Sequence, residues 1–358
     1  MTVSAIVVNY HTSSLLKGLC SSVRGQDPLS ELIIVNNCPE EISVRELTEA
    51  GGIPVRVLQN DTNLGFGAAV NRALKVVEEN YALIINPDAR LMPGCVEAMV
   101  DACEEYSSPL AGPRFYWDDE KIFRLPPATG DSLWFGFGTE SAGHFDLDAQ
   151  LLSFYWILRH DRFWSMNEPF FEPFLSGACL LVSTSWAGKM GNKLFDERFF
   201  LYYEDTDLCV RAMAQGISPL CVPLAGVIHY WDQSPCPSLS KAGLMGKARS
   251  LYMQKHYGGS HYLKEVRDRP GQDWKKTDIE CGINLPVFDT GIFGAGCSDL
   301  YLEFGLNSFF VPFAQARVVE TDFSLPASIW NRLFPGDYFF RLRSQTSGTK
   351  KIWKWNKK

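Results

Sequence analysis

The first hundred residues carry four short apolar runs, three of them followed by stretches of helical periodicity. This alternation restricts the fold more than any other feature of the chain. Residues 3–8 are a continuous β-branched run with no polar alternation, as expected of a strand covered on both faces. Leu15, Leu19 and Val23 then recur at helical spacing. Residues 32–35 and 55–58 repeat the strand signal, 66–79 the helical one and 82–85 the strand again, and Pro93 and Gly94 open a helix to about Tyr106. Such β-α-β-α order predicts an α/β fold with a mostly parallel central sheet and right-handed crossovers.

In open parallel sheets ligands bind beyond the carboxyl ends of the strands. That rule selects Asn9-Tyr10-His11, Asn36-Asn37, the loop from Asp61 through Asn63 and Gly65 to Gly67, and Asn86-Pro87-Asp88. No G-x-G-x-x-G follows the first strand, which weighs against a dinucleotide site.

The rest of the chain bounds the reading. With 358 residues there is room for one large domain and a small second one. A net charge of −7 argues against nucleic acid as a partner. The ten cysteines form no C-x-x-C pair. Several lie in apolar runs, so they read as small buried hydrophobes in a reducing compartment. No leader-like start and no spanning apolar run is visible, and the expectation is a cytoplasmic protein whose membrane contact is peripheral.

Residues 115–173 are irregular, aromatic and rich in Pro and Gly around one helix-like stretch at 147–160, and read as an insertion over a site. Regular pattern returns at 177–182, with a helix from Glu204, a strand near 219–223 and a helix at 241–257. Four β-type segments at 299–305, 309–319, 337–343 and 351–355 then predict a small antiparallel β-sandwich. The expected organisation is a catalytic domain over 1–262, a linker over 263–284 and the β module over 285–358. Trp353 and Trp355 alternate with Ile352 and Lys354 and share one strand face. The basic tail of Lys350, Lys351, Lys354, Lys357 and Lys358 suits either solvent or anionic headgroups.

Four clusters carry candidate chemistry. Asp88, just past a buried strand, suits a hard divalent cation, though an Asp that starts a turn reads the same. Glu204, Asp205 and Asp207 crowd a helix start; they complement its dipole, or one of them is desolvated enough to act as a general base. His229 follows a strand-like run and is either a metal ligand or a structural histidine. Asn63-Leu64-Gly65 and Arg72 form a loop and helix start where backbone approaches a ligand closely and Arg72 faces a phosphate, or else a plain cap.

The order and spacing of these pieces resemble the family 2 glycosyltransferases of the GT-A fold, in the bacterial rhamnosyltransferase-like branch. The resemblance covers about residues 1–260. It rests on VSAIVVNYHTSS, IIVNN, NLGFGAAVNRAL, INPDARL, LSGACLLV, FFLYYEDTDLCVR and His229 with Ser234. It implies an inverting transferase that moves a sugar, rhamnose being the leading candidate, from a UDP- or dTDP-linked donor to a glycan or lipid-linked glycan. Asp88 and His229 would hold Mg²⁺ or Mn²⁺, and Asp205 would be the base with Glu204 beside it. Asn9, Tyr10, Asn36, Asn63, Gly65, Arg72 and Asn86 would meet the donor. Ser176, Gly177, Asp207 and Trp164 would meet the acceptor, with Phe170 and Phe171 as further stacking candidates. Asn36 stands where the family more often has Asp, and Asn86 replaces the first Asp of the family's acidic motif. A nucleotidyltransferase is disfavoured because no Gly-rich basic loop follows the first strand. A catalytically silent glycan-binding scaffold, with the β module as its working part, is the reading from another class. The oligomeric state stays open.

Overall fold

The computed structural model describes residues 1–231, 233, 241–258, 285–289, 299–320, 322–346 and 348–358. The expected 263–284 linker and Ser234 lie outside the described residues. Contacts divide the chain into two compact units, one of Met1–Arg114 with Met166–Ser260 and one of Phe115–Ser165 with His261–Lys358.

In chain order the elements are β1 (Val3–Asn9), α1 (Ser13–Val23), β2 (Leu29–Asn36), α2 (Val44–Gly51), β3 (Val55–Gln59), α3 (Phe66–Leu74), β4 (Tyr81–Ile85), β5 (Ala89–Leu91), α4 (Cys95–Glu105) and β6 (Leu110–Tyr116). They continue through β7 (Phe123–Arg124), α5 (Leu133–Ala142), α6 (Asp146–Ser165), β8 (Phe170–Phe171), β9 (Cys179–Ser183), α7 (Thr184–Lys189), α8 (Glu204–Ala214), β10 (Leu220–His229) and α9 (Lys241–Tyr257). The last stretch supplies β11 (Val287–Asp289), β12 (Leu300–Gly305), β13 (Phe313–Arg317), β14 (Asp322–Ser324), α10 (Ala327–Arg332), β15 (Gly336–Ser344) and β16 (Gly348–Lys357).

The first unit is built on the parallel order β3-β2-β1-β4. β1 and β4 are buried along their whole length, which is why both are mainly apolar rather than alternating, and the polar Ser4 and Asn9 of β1 are hydrogen-bonded. β9 then pairs antiparallel with β4, Ile85 opposite Cys179, and Leu110 and Ala111 of β6 pair antiparallel with β9. The sheet is therefore mixed, with its parallel half at the N-terminal side. α1 buries Leu16, Leu19, Cys20 and Val23, so Leu16 rather than Leu15 leads its inner face. α3 stops at Leu74, short of the expected 79, and the carboxylate of Glu79 instead accepts hydrogen bonds from Ser4 and Ser30 at the start of the sheet. β10 runs six residues beyond the expected end at 223, because β5 pairs with its far half: Leu91 with Val227, Arg90 with Ile228 and Ala89 with His229.

The second unit joins the 115–165 segment to the C-terminal strands, a partition that linear boundaries at 262 and 285 do not anticipate. Its antiparallel sheet has the order β16-β15-β12-β13-β7. α5 and α6 cover one face, where Ala142, Ala149, Leu152 and Trp156 pack on Phe310, Val311 and Phe313. On the other face Phe288 of β11 packs against Phe340, Trp353 and Trp355, so the two tryptophans do share a face. Among the described residues the layers are helix, sheet and a two-stranded ribbon of β11 with β14.

Candidate active site

A cleft of about 290 Å³ opens in the first unit beyond the carboxyl ends of β1 and β4. It is lined by Tyr10, Asn37, Asn63, Gly65, Asn86 and Asp88 from the first half of the unit, and by Ser176, Gly177, the 200–205 run, His229, Trp231 and Lys241 from the second. The antiparallel insertion of β9 brings the halves together. Asn86 donates its backbone N–H to the Ala178 carbonyl (2.9 Å), which fixes the β4 exit against the Ser176-Gly177-Ala178 turn.

Asp88 and His229 meet because β5 pairs with the end of β10. The His229 Nε2 lies 3.4 Å from the Asp88 Oδ1, and the carboxylate is buried. Burial works to raise the Asp88 carboxyl, but the facing imidazole and backbone N–H donors outweigh it and hold it below its usual value. One carboxylate and one imidazole side by side in a cleft form a donor set that fits a divalent ion whose remaining ligands come from phosphate oxygens and water. Among the described residues the one cluster with three potential ligand atoms is elsewhere, at His11, Cys38 and Glu40. There His11 Nδ1 and Glu40 Oε1 are already paired at 2.9 Å.

The Glu204-Asp205 pair opens α8. The residues before it, Tyr202 (φ 73°) and Tyr203 (φ 68°), both hold the left-handed region without being glycine, a strained entry that turns the helix start into the cleft. Asp205 is half-buried. Its Oδ2 accepts the Gly177 N–H (2.8 Å) and its Oδ1 accepts the Thr206 N–H (2.7 Å). A Cβ on Gly177 would stand 3.2 Å from the Asp205 Cβ, so this position holds the carboxylate in place by backbone approach. Burial raises the Asp205 carboxyl in spite of those donors. Glu204 is buried, its Oε2 has no partner, and burial together with the neighbouring Asp205 charge pushes its carboxyl up to about 8. At neutral pH Glu204 is the protonated member of the pair.

Several expected site residues serve the scaffold instead. Asn9 donates to Asn36 Oδ1 (2.8 Å), and its own Oδ1 accepts from the Thr12 N–H and hydroxyl, tying β1 to β2 and to the start of α1. Asn36 donates to the Glu40 carbonyl and to Gln59 Oε1, both at 2.8 Å. With its amide satisfied and buried, it does not line the cleft. Asn37, one residue on, does: it donates to Asn63 Oδ1 (3.2 Å) and to the Gly65 carbonyl, and accepts from Asn60. Strand alternation explains the swap, since the side chain that follows Asn36 points the other way. Arg72 is exposed and away from the cleft; the neighbouring Asn71 is the buried residue, clamped to the Phe195 backbone through both amide atoms. Asp207 is fully buried and bonded to Arg211 (2.7 Å), Lys255 (2.5 Å) and His256 (2.8 Å), so it locks α8 to α9 and offers nothing to an acceptor. Trp164 belongs to the second unit, nearly buried, with its indole N–H donated to the Leu125 carbonyl (3.0 Å). Phe170 is buried under β10, while Phe171 is about half exposed. Trp231, Gln233 and Lys241 are among the cleft residues that sequence reasoning passed over. Asn37 was selected as a strand-end residue without a role, whereas Lys241 carries no local signal.

The family model for glycosyl transferase family 2 matches residues 4–173. The N-acetylglucosaminyl-diphospho-decaprenol L-rhamnosyltransferase of Mycobacterium tuberculosis, in strains H37Rv and CDC 1551, is 30% identical over 233 residues, which cover 62% of this chain and 69% of that protein. The chain belongs to glycosyl transferase family 2. Among solved structures, GalNAc-T7 with UDP, GalNAc and Mn²⁺ aligns with a TM-score of 0.52 at 14% identity, over 76% of this chain. The chain spans about half the length of that structure, 52%, and the likeness shows the shared GT-A fold. In this family 2 glycosyltransferase, Asp88, His229, Glu204 and Asp205, the candidates read from the sequence, line one cleft of the first unit.

Proposed function

We propose that this glycosyltransferase moves a sugar, L-rhamnose as first choice, from a dTDP- or UDP-linked donor to a hydroxyl of a lipid-linked glycan, with inversion at the anomeric carbon. The carrying observation is the cleft itself, with the Asp88–His229 pair on one side and the Asp205 carboxylate, fixed by the Gly177 N–H, on the other. The rhamnose and lipid-linked parts follow the name of the mycobacterial relative.

In this reading Tyr10, Asn37 and Asn63 receive the nucleoside end of the donor, and Asp88 with His229 would hold Mn²⁺ or Mg²⁺. When bound, that ion neutralises charge on the diphosphate. Lys241, which lines the same cleft, adds a cation toward the departing diphosphate. Asp205 takes the proton of the acceptor hydroxyl as its oxygen bonds to the anomeric carbon, and the carbon–oxygen bond to the diphosphate breaks with its electron pair leaving on the diphosphate. Glu204, protonated beside it, keeps a second negative charge away from Asp205 and leaves that carboxylate as the ionised base. One base and no second carboxylate nucleophile suit a single displacement.

The test is thermal stability with UDP, dTDP or GDP, each in Mn²⁺, Mg²⁺ or EDTA. A ligand that binds only the folded state raises the midpoint. Stabilisation by dTDP or UDP that needs metal and is lost in Asp88→Ala and in His229→Ala is the expected result. Stabilisation by none of the three nucleotides would remove the proposal. Incubation with dTDP-rhamnose and a short-chain N-acetylglucosaminyl-diphospho lipid then tests the donor and acceptor, with a rhamnosylated product expected by mass.

A further inference from the structure

The α5–α6 hairpin of the second unit is apolar on both sides. Its inner side packs in the core through Ala149, Leu152 and Trp156. On its outer side Trp134, Phe137, Leu147, Leu151, Phe154 and Leu158 are each more than half exposed. The last four sit at i, i+4, i+7 and i+11 and so form one stripe along α6. A helix that is apolar all round is normally buried all round, and a patch of this size on a folded chain marks a surface that is covered when the protein works.

We infer that this stripe lies in the surface of a lipid bilayer. The inference rests on the lipid-linked acceptor proposed above. The charge pattern selects the occupant. Hydrocarbon offers no countercharge, so a face that enters it must be free of ionised groups along its length. Between Leu147 and Leu158 there is no Lys, Arg, His or Glu, and the carboxylate of the one Asp, Asp148, is turned inward to the Ser141 hydroxyl. Charges reappear at the two ends, at the exposed Asp146 and the exposed Arg162. The length agrees. Leu147 to Leu158 spans about 17 Å at helical rise, roughly half the hydrocarbon thickness, which suits a helix lying along the surface; no helix among the described residues is long and apolar enough to cross a membrane. Of the C-terminal lysines, an earlier candidate for this role, two are engaged within the unit: Lys354 pairs with Asp337 (2.7 Å), and Lys357 donates to the Trp330 and Leu333 carbonyls.

The experiment is flotation of the full chain with vesicles of phosphatidylcholine, alone or mixed with phosphatidylglycerol, for wild type and Leu151→Glu/Phe154→Glu. Wild type floats with the vesicles, and the double variant partitions at least about tenfold less, equivalent to ~1.4 kcal/mol. Its melting midpoint and its metal-dependent nucleotide shift stay as in wild type. Leu151→Ala/Phe154→Ala, which adds no charge, gives a smaller loss in the same direction and guards against misfolding. Quenching of Trp134 by lipids brominated in their acyl chains, absent in Trp134→Leu, places the stripe in the hydrocarbon. Wild type that stays with the soluble fraction on both vesicles overturns the inference, as does equal binding by the charged variant. So does a wild-type dimer that the variant converts to monomer, since a second copy would then be the cover. Transfer separates this from the acceptor reading. The charged variant keeps activity on a water-soluble short-chain acceptor and loses it on a polyprenyl-linked acceptor in vesicles. Vesicle binding with no transfer to either acceptor leaves the surface standing and removes the acceptor reading alone.

Discussion

Glu204 and Asp205 are neighbours in sequence, yet their surroundings ask different things of them. Asp205 has two backbone N–H donors, whereas the Glu204 Oε2 has no partner and its carboxyl is raised from 4.5 to about 8. Two consequences are measurable. Between pH 4.5 and about 8 the folded protein keeps a proton on Glu204 that the unfolded chain has released. This contribution to stability is therefore complete below pH 4.5 and is lost as pH rises toward 8. Glu204→Gln is expected to flatten that slope and to raise the melting midpoint relative to wild type at pH 8, read from thermal melts across the range. For Asp205, an upward shift means that the acid limb of the rate profile lies above the ordinary carboxylate range. Asp205→Asn is expected to lower kcat by roughly 10²–10⁴-fold while leaving metal-dependent nucleotide stabilisation intact. An equal loss of nucleotide binding would assign Asp205 to the donor side instead.

Elements bring these residues together by close backbone approach. Gly65 takes φ +83°, and a Cβ there would stand 2.4 Å from the Phe200 carbonyl oxygen, the same oxygen that accepts the Phe66 N–H at 2.9 Å. The loop before α3 and the aromatic run before α8 are thus in direct contact along one wall of the cleft. Gly65→Ala combines left-handed strain with a backbone clash. It is expected to destabilise the fold by at least about 1–3 kcal/mol and to weaken nucleotide-dependent stabilisation, both readable in one denaturation series with and without ligand. Gly177→Ala is milder. Its Cβ meets a side chain at 3.2 Å, so displacement of Asp205 lowers kcat more than it lowers stability.

At the scale of the molecule, each unit buries an ionic cluster. In the first, Asp207 pairs with Arg211, Lys255 and His256. The second holds a buried ionic cluster in which Glu303, fully buried, accepts from Arg341 Nε (2.5 Å) and Arg343 Nε (2.6 Å). Register produces it, since Glu303 of β12 lies opposite both Arg341 of β15 and Gln315 of β13. From α6, Ser153 accepts from Arg341 and Asp161 accepts from Arg343. Glu303→Leu leaves two buried guanidinium groups short of a partner. It is expected to cost about 3–5 kcal/mol, seen as early loss of the second unit by hydrogen exchange while the nucleotide-dependent shift of the first unit persists.

The sequence by itself determined the parallel strands and the loops that follow them, because a strand buried on both faces must be an unbroken apolar run and because ligands collect at such strand ends. Asp88 was legible as a candidate for the same reason, His229 as a histidine after a strand-like run, and Glu204 and Asp205 as carboxylates crowding a helix start. What only the tertiary structure decided was which neighbour faces the cleft. Asn37 lines it while Asn36 is consumed by the scaffold, and Asp207 is buried in ion pairs while Asp205 lines the cleft, since pleat and helix phase send neighbouring side chains in different directions. The meeting of Asp88 with His229 depends on a register between strands far apart in the chain. The joining of 115–165 to the C-terminal sheet likewise depends on contacts between distant segments, for which no local pattern of residues carries a signal.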